Sequence, residues 1–405
     1  MKLLVENICK IAQADIRLDG LTIITGNNNT GKSTIGKALW TMFDAFTSIQ
    51  NKTRTMRLAG CLRILKRDLP FAFNSKSRKA ICRKLISHEL TIPEALDALT
   101  EDPETNHPPD WDPYTQKQLE ELLAIDDDTL QRQIVRDSFT SAFSGQFTSL
   151  MDSAGIPSVT MTIQGRRVSV RFDEHDRPTI KSELALKNRA FLLNSPELLE
   201  QEPHDYINIT QRRSISRSFQ EDSTEEQSAP DNSITEKQFD PIQTSILDTI
   251  GGSIVYDDMY GFRFADANLP DRLDLANLSQ GIKAMGILQA AFCHGAIQEG
   301  DVLILDEPEI HLHPTWQLKY AELIVLLQKT YQLTVLLTTH SPDFVQAIRL
   351  YAQRHQTADT LAAYLAETND RGIATLRPIS HDNWDEVFAQ FAIGFDRLME
   401  ITQVR

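Results

Sequence analysis

The chain has 405 residues, of which 41% are hydrophobic, and its formal net charge is −15. This charge argues against a protein that coats nucleic acid with its whole surface, and the length suits two or three domains, or one domain with a large insertion. No apolar run is long enough to span a membrane, and the four cysteines form no Cys-x-x-Cys pair, which disfavours zinc sites and disulfide frameworks. Charged side chains at Glu6, Lys10 and Asp15 do not fit a secretory leader, so we expect a cytoplasmic protein.

The segment GNNNTGKST, residues 26–34, lies between a predicted buried strand, 21–25, and a predicted helix, 35–46. Gly-x4-Gly-Lys-Ser is the P-loop pattern, in which backbone amides bind phosphates, the lysine reaches the β- and γ-phosphates, and the serine hydroxyl ligates Mg²⁺. The sequence therefore predicts an ATP site with Mg²⁺. Its expected binding residues are Gly26, Asn27, Asn28, Asn29, Thr30, Gly31, Lys32, Ser33 and Thr34, with Ser33 also a metal ligand.

Residues 51–150 are predicted to be mostly helical, with a break at 101–113, where four prolines fall. Their first part, the basic block 51–84, contains eleven lysines and arginines and one acid, Asp68. The basic block is a candidate contact for nucleic acid. An acidic protein partner, or an ordinary solvated helical face, fits the same composition.

Residues 151–249 are predicted to form a hairpin at 159–172, with Gly165 at its turn, and a further strand at 179–186. The polar, acidic residues 215–241 are predicted to be a mobile linker. A second hairpin is expected at 253–265.

The segment NLSQGIKAMG, residues 277–286, places Ser279 and Gly281 at the start of a predicted helix, 279–293. Free amides and a hydroxyl at a helix N-terminus form a second anion site. Because the first helix already has its own P-loop, we expect this second site to bind the nucleotide of another molecule. The alternative interpretation is a simple serine N-cap.

The segment DVLILDEPEIHLHP, residues 301–314, is predicted to be a Walker B strand that ends in two acids. Asp306 is expected to hold Mg²⁺ and Glu307 to act as general base for the attacking water. His340 follows another predicted strand, 333–338, and is expected to contact the γ-phosphate. His311 and His313 have a metal-like spacing, but no third ligand lies nearby in the sequence apart from the Walker carboxylates.

Taken in this order, the motifs resemble those of ABC-type ATPase heads, the branch shared with structural-maintenance-of-chromosomes (SMC) and double-strand-break repair ATPases. More narrowly, they resemble bacterial ATPases of the overcoming-lysogenization-defect, Septu and retron-associated defence types. The resemblance implies a dimer, or a higher even-numbered oligomer, in which two protomers enclose two ATP molecules. Ser279 and Gly281 would then touch the γ-phosphate held by the partner's P-loop, and residues 309–313 would cross the dimer seam. The signature LSQGI departs from the transporter pattern, and residues 191–201 are a candidate for the Mg²⁺-contacting glutamine segment.

We predict an α/β fold, an ABC-type P-loop ATPase head with a mostly parallel central sheet, antiparallel β-hairpins and a helical insertion. The predicted domains are an ATPase core at 1–50 and 250–345, a helical insertion at 51–150, a hairpin and linker region at 151–249, and a C-terminal helical extension at 346–405. The prediction of the C-terminal helical extension rests on apolar residues at helical spacing over 384–399.

The resemblance implies an ATPase that senses a signal and regulates a separate effector, a nuclease or toxin, in bacterial anti-phage defence. After His340 the chain has neither the Cys/His cluster of an HNH nuclease nor the Glu and Asp-x-Asp set of a Toprim nuclease, so we expect it to cut no nucleic acid itself. The alternatives are a DNA repair or chromosome-associated ATPase, which the lack of sustained heptads disfavours, and a transporter subunit, which the large insertion disfavours. A non-hydrolysing, ATP-dependent scaffold is a third alternative, and Glu307 argues against it.

Overall fold

The chain forms two compact units in the computed structural model, which describes residues 1–68, 76–101, 111–149, 155–200, 206–222, 244, 246–257, 259–266, 268–380 and 383–388. The main unit comprises Met1–Asp44 and Ser138–Arg405, and the helical unit comprises Ala45–Asp137. Within the described residues, no helix has both the length and the apolar character needed to cross a membrane.

The strands belong to two sheets of the main unit. Numbered in chain order, they are β1 (Lys2–Ile8), β2 (Ile11–Arg17), β3 (Leu21–Gly26), β4 (Ser158–Ile163), β5 (Arg166–Phe172), β6 (Pro178–Ser182), β7 (Ala190–Leu193), β8 (Gly252–Asp257), β9 (Gly261–Asp266), β10 (Leu273–Asp274), β11 (Val302–Asp306), β12 (Thr334–Thr339), β13 (Leu361–Thr368) and β14 (Ala374–Ile379). Among the described residues, the large sheet has eleven strands in the order β6-β5-β4-β1-β2-β14-β13-β3-β12-β11-β7, and the small sheet has the order β10-β9-β8.

The central part of the large sheet, β13-β3-β12-β11-β7, is parallel throughout. Every residue of β3 is buried, and β11 and β12 are buried over most of their length, as expected for strands enclosed on both faces. Parallel strands end at one edge of a sheet, so the last residues of β3, β11 and β12 lie along the same edge: Gly26, Asp306 and Thr339. The α/β fold with a parallel core is therefore confirmed.

The strands β6, β5, β4, β1 and β2 pair antiparallel and form the other half of the sheet. The predicted hairpin at 159–172 is the pair β4 and β5, with Gly165 in its turn at φ +80°. The second predicted hairpin, at 253–265, is the pair β8 and β9 of the small sheet. Both follow from alternating apolar residues on each side of a glycine turn.

The helices, also numbered in chain order, are α1 (Lys32–Phe46), α2 (Ile49–Leu65), α3 (Lys76–Ile86), α4 (Ile92–Thr100), α5 (Pro113–Ala124), α6 (Asp127–Ala142), α7 (Tyr206–Asp222), α8 (Gln280–Cys293), α9 (Pro314–Thr330) and α10 (Pro342–Arg354). Several helices begin at an N-cap residue whose side chain accepts a backbone N–H. These N-caps are Thr91 for α4, Asp112 for α5, Ser279 for α8, His313 for α9 and Ser341 for α10. Proline occupies the first turn of α9 and α10, where a missing N–H costs nothing.

Apolar side chains of α8, α9 and α10 pack with β11 and β12 in the large core of the main unit. Among the fully buried members are Leu288, Tyr320, Ile324 and Phe344. This packing places the N-termini of the helices at fixed positions relative to the carboxyl edge of the parallel strands.

The helical unit has a small core of its own. Its buried members are Cys61, Leu65, Cys82, Leu85, Ala95, Leu96, Leu99 and Leu119, from α2, α3, α4 and α5. A capping box between Thr91 and Glu94 begins α4.

Two sequence expectations are wrong in part. The start of the predicted mobile linker, up to Asp222, is the second half of α7, whose Ile215 is fully buried; its remainder lies outside the described residues. The predicted helical extension after residue 346 instead supplies β13 and β14 to the large sheet. Its predicted final helix is described only over 383–388. Neither strand carries a sequence motif.

Candidate active site

The P-loop connects the end of β3 to the start of α1, as the sequence predicts. Gly26 has φ +145°, and a Cβ there would collide with the carbonyl oxygen of Ala366 in the neighbouring strand β13. Gly31 has φ +83°, and a Cβ there would lie 2.5 Å from the Ile11 side chain. Both glycines are therefore required by the backbone conformation and by close packing.

The asparagines of the P-loop, Asn27, Asn28 and Asn29, are exposed. Asn29 has φ +65°, and its Oδ1 accepts a hydrogen bond of 2.7 Å from Lys10 Nζ. Thr30 is buried and donates to the carbonyl oxygen of Asn27 at 2.8 Å, which holds the loop closed on itself. Thr34 lies in the first turn of α1, where its N–H donates to the carbonyl oxygen of Gly31 at 3.1 Å.

The Lys32 ammonium lies inside the loop, and its side chain is only 3% exposed. Nζ donates to the carbonyl oxygens of Gly26 at 3.0 Å and Asn27 at 2.8 Å. It also lies 3.5 Å from Glu307 Oε1, a charge partner that relieves its burial. The predicted phosphate-binding lysine and the predicted general base thus face each other across the loop.

Ser33 and Asp306 meet at the carboxyl edge of the sheet. Ser33 Oγ donates to Asp306 Oδ1 at 3.0 Å, although the two residues are 273 positions apart. Thr338 Oγ1, from the adjacent strand, donates to the same Oδ1 at 2.5 Å. Burial raises the pKa of the Asp306 carboxyl, and the hydrogen bonds from Thr338 and Ser33 oppose that rise. A hydroxyl beside a buried carboxylate is an oxygen donor set that fits Mg²⁺.

Glu307 has φ +50°, a left-handed conformation that is uncommon for a residue with a side chain. Its N–H donates to the carbonyl oxygen of Thr338 at 3.0 Å and to Thr338 Oγ1 at 3.1 Å, which stabilises the turn. His340 Nδ1 lies 3.5 Å from Glu307 Oε2. The strained turn therefore directs the carboxylate toward both Lys32 and His340.

Glu309 occupies a role that the sequence interpretation missed. The resemblance implies that residues 309–313 cross a dimer seam, and it gives Glu309 no role within its own chain, where this side chain is only 2% exposed. Its Oε1 accepts hydrogen bonds from Thr339 Oγ1 at 2.5 Å and from the His340 N–H at 3.3 Å. It therefore fixes the turn that carries His340. The repeated glutamate in DEPE was the available signal, but only the fold reveals its burial.

Burial raises the pKa of Glu309, and the hydrogen bond from Thr339 opposes the rise. Folding therefore disfavours the ionised form of Glu309. The free energy of unfolding should fall as pH rises from below the ordinary glutamate pKa range toward neutrality, because the unfolded chain releases this proton more readily. Glu309→Gln removes that ionisation and keeps one acceptor oxygen. We expect its free energy of unfolding, relative to that of the wild type, to increase with pH.

Urea unfolding across a pH series measures this difference. As a control, Glu309→Ala removes the acceptor as well, which is expected to cost about 1–3 kcal/mol at every pH because buried donors lose their partner. A difference between wild type and Glu309→Gln that is independent of pH would contradict the interpretation.

The other residues of the segment 309–313 differ in their exposure. Ile310 is 50% exposed and Leu312 is buried. His313 Nδ1 contacts Thr315 Oγ1 at 2.9 Å and caps α9, which gives this histidine a structural role. Within the described residues, no group of three His, Cys, Asp or Glu side chains has the arrangement of a metal site.

The segment with Ser279 begins α8. Ser279 is exposed, and its Oγ accepts the Ile282 N–H at 3.4 Å as the N-cap of α8. Gly281 is buried, and a Cβ there would lie 3.0 Å from Leu312 and 3.3 Å from the Trp316 ring. None of the hydrogen bonds or ion pairs in the described chain joins Ser279 or Gly281 to Lys32, Ser33 or Asp306.

Within the candidate glutamine segment, residues 191–201, the structure places Asn194 directly after β7, next to the Walker B strand. Asn194 Oδ1 is buried and has no hydrogen-bond partner in the described chain. Gln201 lies outside the described residues. Glu197 and Glu200 of this segment bind the start of α8, through Gln280 at 3.1 Å and Lys283 at 2.5 Å.

The family model for the AAA ATPase domain matches residues 1–345 of the sequence. The chain belongs to the AAA ATPase domain family. The match spans the P-loop, the Walker B strand and His340, so the predicted ATPase class is confirmed. No curated protein matches the sequence.

Solved SMC heads are similar to this AAA ATPase domain protein over most of its length. The SMC head domain from Thermotoga maritima is 12% identical, with a TM-score of 0.40, and the alignment covers 94% of this chain and 98% of that one. An SMC head bound to the C-terminal winged-helix domain of ScpA is 13% identical, with a TM-score of 0.44 and the same coverage. An SMC head from Pyrococcus furiosus, bound to the C-terminal domain of ScpA, is 11% identical, with a TM-score of 0.42 and coverage of 96% and 98%. The family assignment rests on the sequence match.

Proposed function

We propose that this chain binds ATP with Mg²⁺ and hydrolyses it to ADP and phosphate. The observation that carries the proposal is the convergence of three separate segments at one edge of the sheet. Ser33 meets Asp306 at 3.0 Å, and Glu307 lies 3.5 Å from both Lys32 and His340. These are the groups that phosphoryl transfer to water needs.

Each group has a separate task. The P-loop amides and Lys32 bind the phosphates, and Ser33 and Asp306 hold Mg²⁺, which neutralises phosphate charge when bound. Glu307 accepts a proton from the attacking water as that water's oxygen bonds to the γ-phosphorus and the bond to ADP breaks. In this proposal His340 orients the Glu307 carboxylate, 3.5 Å away, and contacts the γ-phosphate. Mg²⁺-dependent release of phosphate from ATP tests the proposal, and a chain that binds ATP without turnover would favour the scaffold alternative.

We also propose that ATP joins two protomers, in a homodimer or a higher even-numbered oligomer. The support is the exposure of Ser279 at the N-terminus of α8, with no hydrogen bond from Ser279 to a P-loop residue among the described residues. Gly281 packs close to Leu312 and Trp316, and Ile310 and Leu318, near these two residues in the sequence, are about half exposed. An exposed anion site beside exposed apolar groups suits contact with a partner's nucleotide.

For the biological role, we propose a cytoplasmic regulator of a separate effector, a nuclease or toxin, in bacterial anti-phage defence. This role rests on the motif resemblance alone. A DNA repair or chromosome-associated ATPase is the second candidate, favoured by the similarity of the motifs to those of SMC proteins. Cleavage of DNA by the purified chain with Mg²⁺ or Mn²⁺ would contradict the separate effector.

The basic block is the proposed contact for nucleic acid, and its lysine and arginine side chains differ in burial and in ion pairing. Arg57 pairs with Asp127, Arg67 pairs with Asp68 and Asp112, and Arg78 is buried. On α3, by contrast, four cations have no hydrogen bond or ion pair with any described residue: Lys76, Lys79, Arg83 and Lys84. The helix has no acid, so α3 is the part of the block that is free to bind phosphates.

Replacement of Lys76, Lys79 and Arg83 by Glu is expected to weaken binding of a labelled DNA duplex by about tenfold or more, because phosphate contacts are lost. The dependence of the affinity on salt concentration should also become less steep, since fewer counterions are released on binding. Fluorescence anisotropy across a salt series measures both quantities. The matched control replaces Lys117, Arg132 and Arg136 by Glu, which makes the same change of charge in the same unit. Equal losses in the two variants would show that only net charge matters and would remove the role from α3.

A further inference from the structure

A cavity of about 530 Å³ lies within the main unit, and its lining includes Lys37 of α1 and Asn194, which follows β7. We call it the side chamber. Its polar lining comes from Lys37, Ser141, Ser144, Asn194 and Tyr206, and its apolar lining includes Ile207 and Ile209. This volume accommodates a small molecule, and the mixture of polar and apolar lining groups suits a polar ligand.

The lining of the side chamber includes one positive charge. Lys37 lies on α1, one turn beyond Ser33, and its side chain has no hydrogen bond or direct ion pair with any described residue. Burial raises the pKa of Asp306, and the charge of Lys37 is among the influences that oppose this rise. Lys37 therefore acts on the metal-site carboxylate electrostatically and also lines the side chamber.

The other polar groups differ in their availability. Tyr206 is occupied, because its hydroxyl donates to Asp44 at 3.0 Å, and Ser138 donates to the same carboxylate oxygen at 3.0 Å. Asn194 Oδ1 is buried and has no hydrogen-bond partner in the described chain. A buried acceptor without a donor costs free energy, so a ligand that donates a proton here would be stabilised.

We propose that the side chamber binds a phosphate group, as hydrogen phosphate or as a phosphate monoester that carries a proton. Lys37 attracts its negative charge, and the hydroxyls of Ser141 and Ser144 can donate to its oxygens. Asn194 Oδ1 accepts the proton of the phosphate O–H. Sulfate has the same shape but no proton at neutral pH, so it leaves Asn194 unpaired and binds more weakly.

Two sources fit this chemistry: the γ-phosphate released by hydrolysis, or the phosphate of a separate small molecule. Only the first rests on the proposed ATP hydrolysis. The proximity of Lys37 to Asp306 suits the first source, because a phosphate leaving the metal site would meet an ammonium within one helical turn. The apolar wall of Ile207 and Ile209 suits the body of the second.

Calorimetry with inorganic phosphate tests the binding, with the P-loop occupied by Mg²⁺ and a non-hydrolysable ATP analogue. We expect phosphate to bind to the wild type and at least about tenfold more weakly to Lys37→Met, because the ammonium supplies the only net positive charge among the lining groups. The control Lys181→Met makes the same charge change on β6, the strand at the opposite edge of the sheet from β7, and should bind like the wild type. Undetectable binding to the wild type, or equal binding to Lys37→Met, would overturn the proposal.

A second variant and a second measurement complete the test. Asn194→Leu should lose the preference for phosphate over sulfate, and retention of that preference would count against the role of Asn194. A fluorescent phosphate sensor then follows product release during ATP turnover. A changed release rate in Lys37→Met identifies the cleaved phosphate as the ligand, whereas an unchanged rate with weakened phosphate binding identifies a separate phosphorylated molecule. A chain that binds phosphate but does not turn over ATP would refute hydrolysis and leave the phosphate site intact.

Discussion

Glu307→Gln is expected to lower the rate of ATP turnover about a thousandfold, because the amide cannot accept the proton of the attacking water. ATP binding should persist, since Lys32, Ser33 and Asp306 are unchanged. The Gln side chain has nearly the same size and meets the same strained backbone at φ +50°. The variant should therefore hold ATP in the composite site and remain assembled. Phosphate release measures turnover, and light scattering with ATP and Mg²⁺ measures mass.

The matched control is Glu299→Gln, which removes the same charge at an exposed position before β11, at the opposite end of the strand. It should turn over like the wild type. Wild-type turnover in Glu307→Gln would exclude Glu307 as the general base. A large loss of turnover with the same mass in the presence and absence of ATP would leave the base assignment in place and contradict ATP-gated assembly.

Mixing two inactive variants is expected to restore activity if the site is composite. Lys32→Ala removes the phosphate-binding ammonium, and Ser279→Arg blocks the exposed N-terminus of α8. In a mixed dimer, one site combines both defects and the other combines an intact P-loop with an intact Ser279. At equal concentrations half of the dimers are mixed and each has one working site, so about a quarter of wild-type turnover should return.

The control pairs Lys32→Ala with Glu307→Gln, because both residues belong to the P-loop half of the site. Every mixed dimer then has a defect in each site, and no activity should return. Absence of recovery in the Ser279 mixture would contradict the composite site, as would full activity of Ser279→Arg alone. Circular dichroism checks that Ser279→Arg is folded, since loss of the N-cap costs only about 1 kcal/mol.

The sequence predicted the local parts of this site because their chemistry is encoded over short spacings. Gly26 and Gly31 mark a loop whose backbone needs positive φ, and the residues that follow them are helix formers. The apolar run before Asp306 predicts a buried parallel strand, and Ser279 before an apolar segment predicts a helix start. Patterns of period two and period 3.6 are visible without any contact between distant residues.

The sequence could not place the strands that hold these parts together. The parallel neighbours of β3 are β12 and β13, more than 300 residues away in the chain, and β13 carries no motif at all. Its Ala366 nevertheless requires glycine at position 26. Strand order depends on how apolar faces are buried jointly, and this information is spread over the whole core.

From its sequence alone, this protein is determined to have a P-loop, a Walker B strand and a serine-capped helix at Ser279, because each depends on residues that are neighbours in the chain. The tertiary structure alone decided that Ser33 touches Asp306, that Glu309 is buried and bonded to the His340 N–H, and that Lys37 lines a chamber. It also decided which cations of the basic block are consumed by ion pairs within the helical unit. The physical reason is that burial and charge pairing are properties of packed surfaces, whose partners are chosen by the fold and not by spacing along the chain.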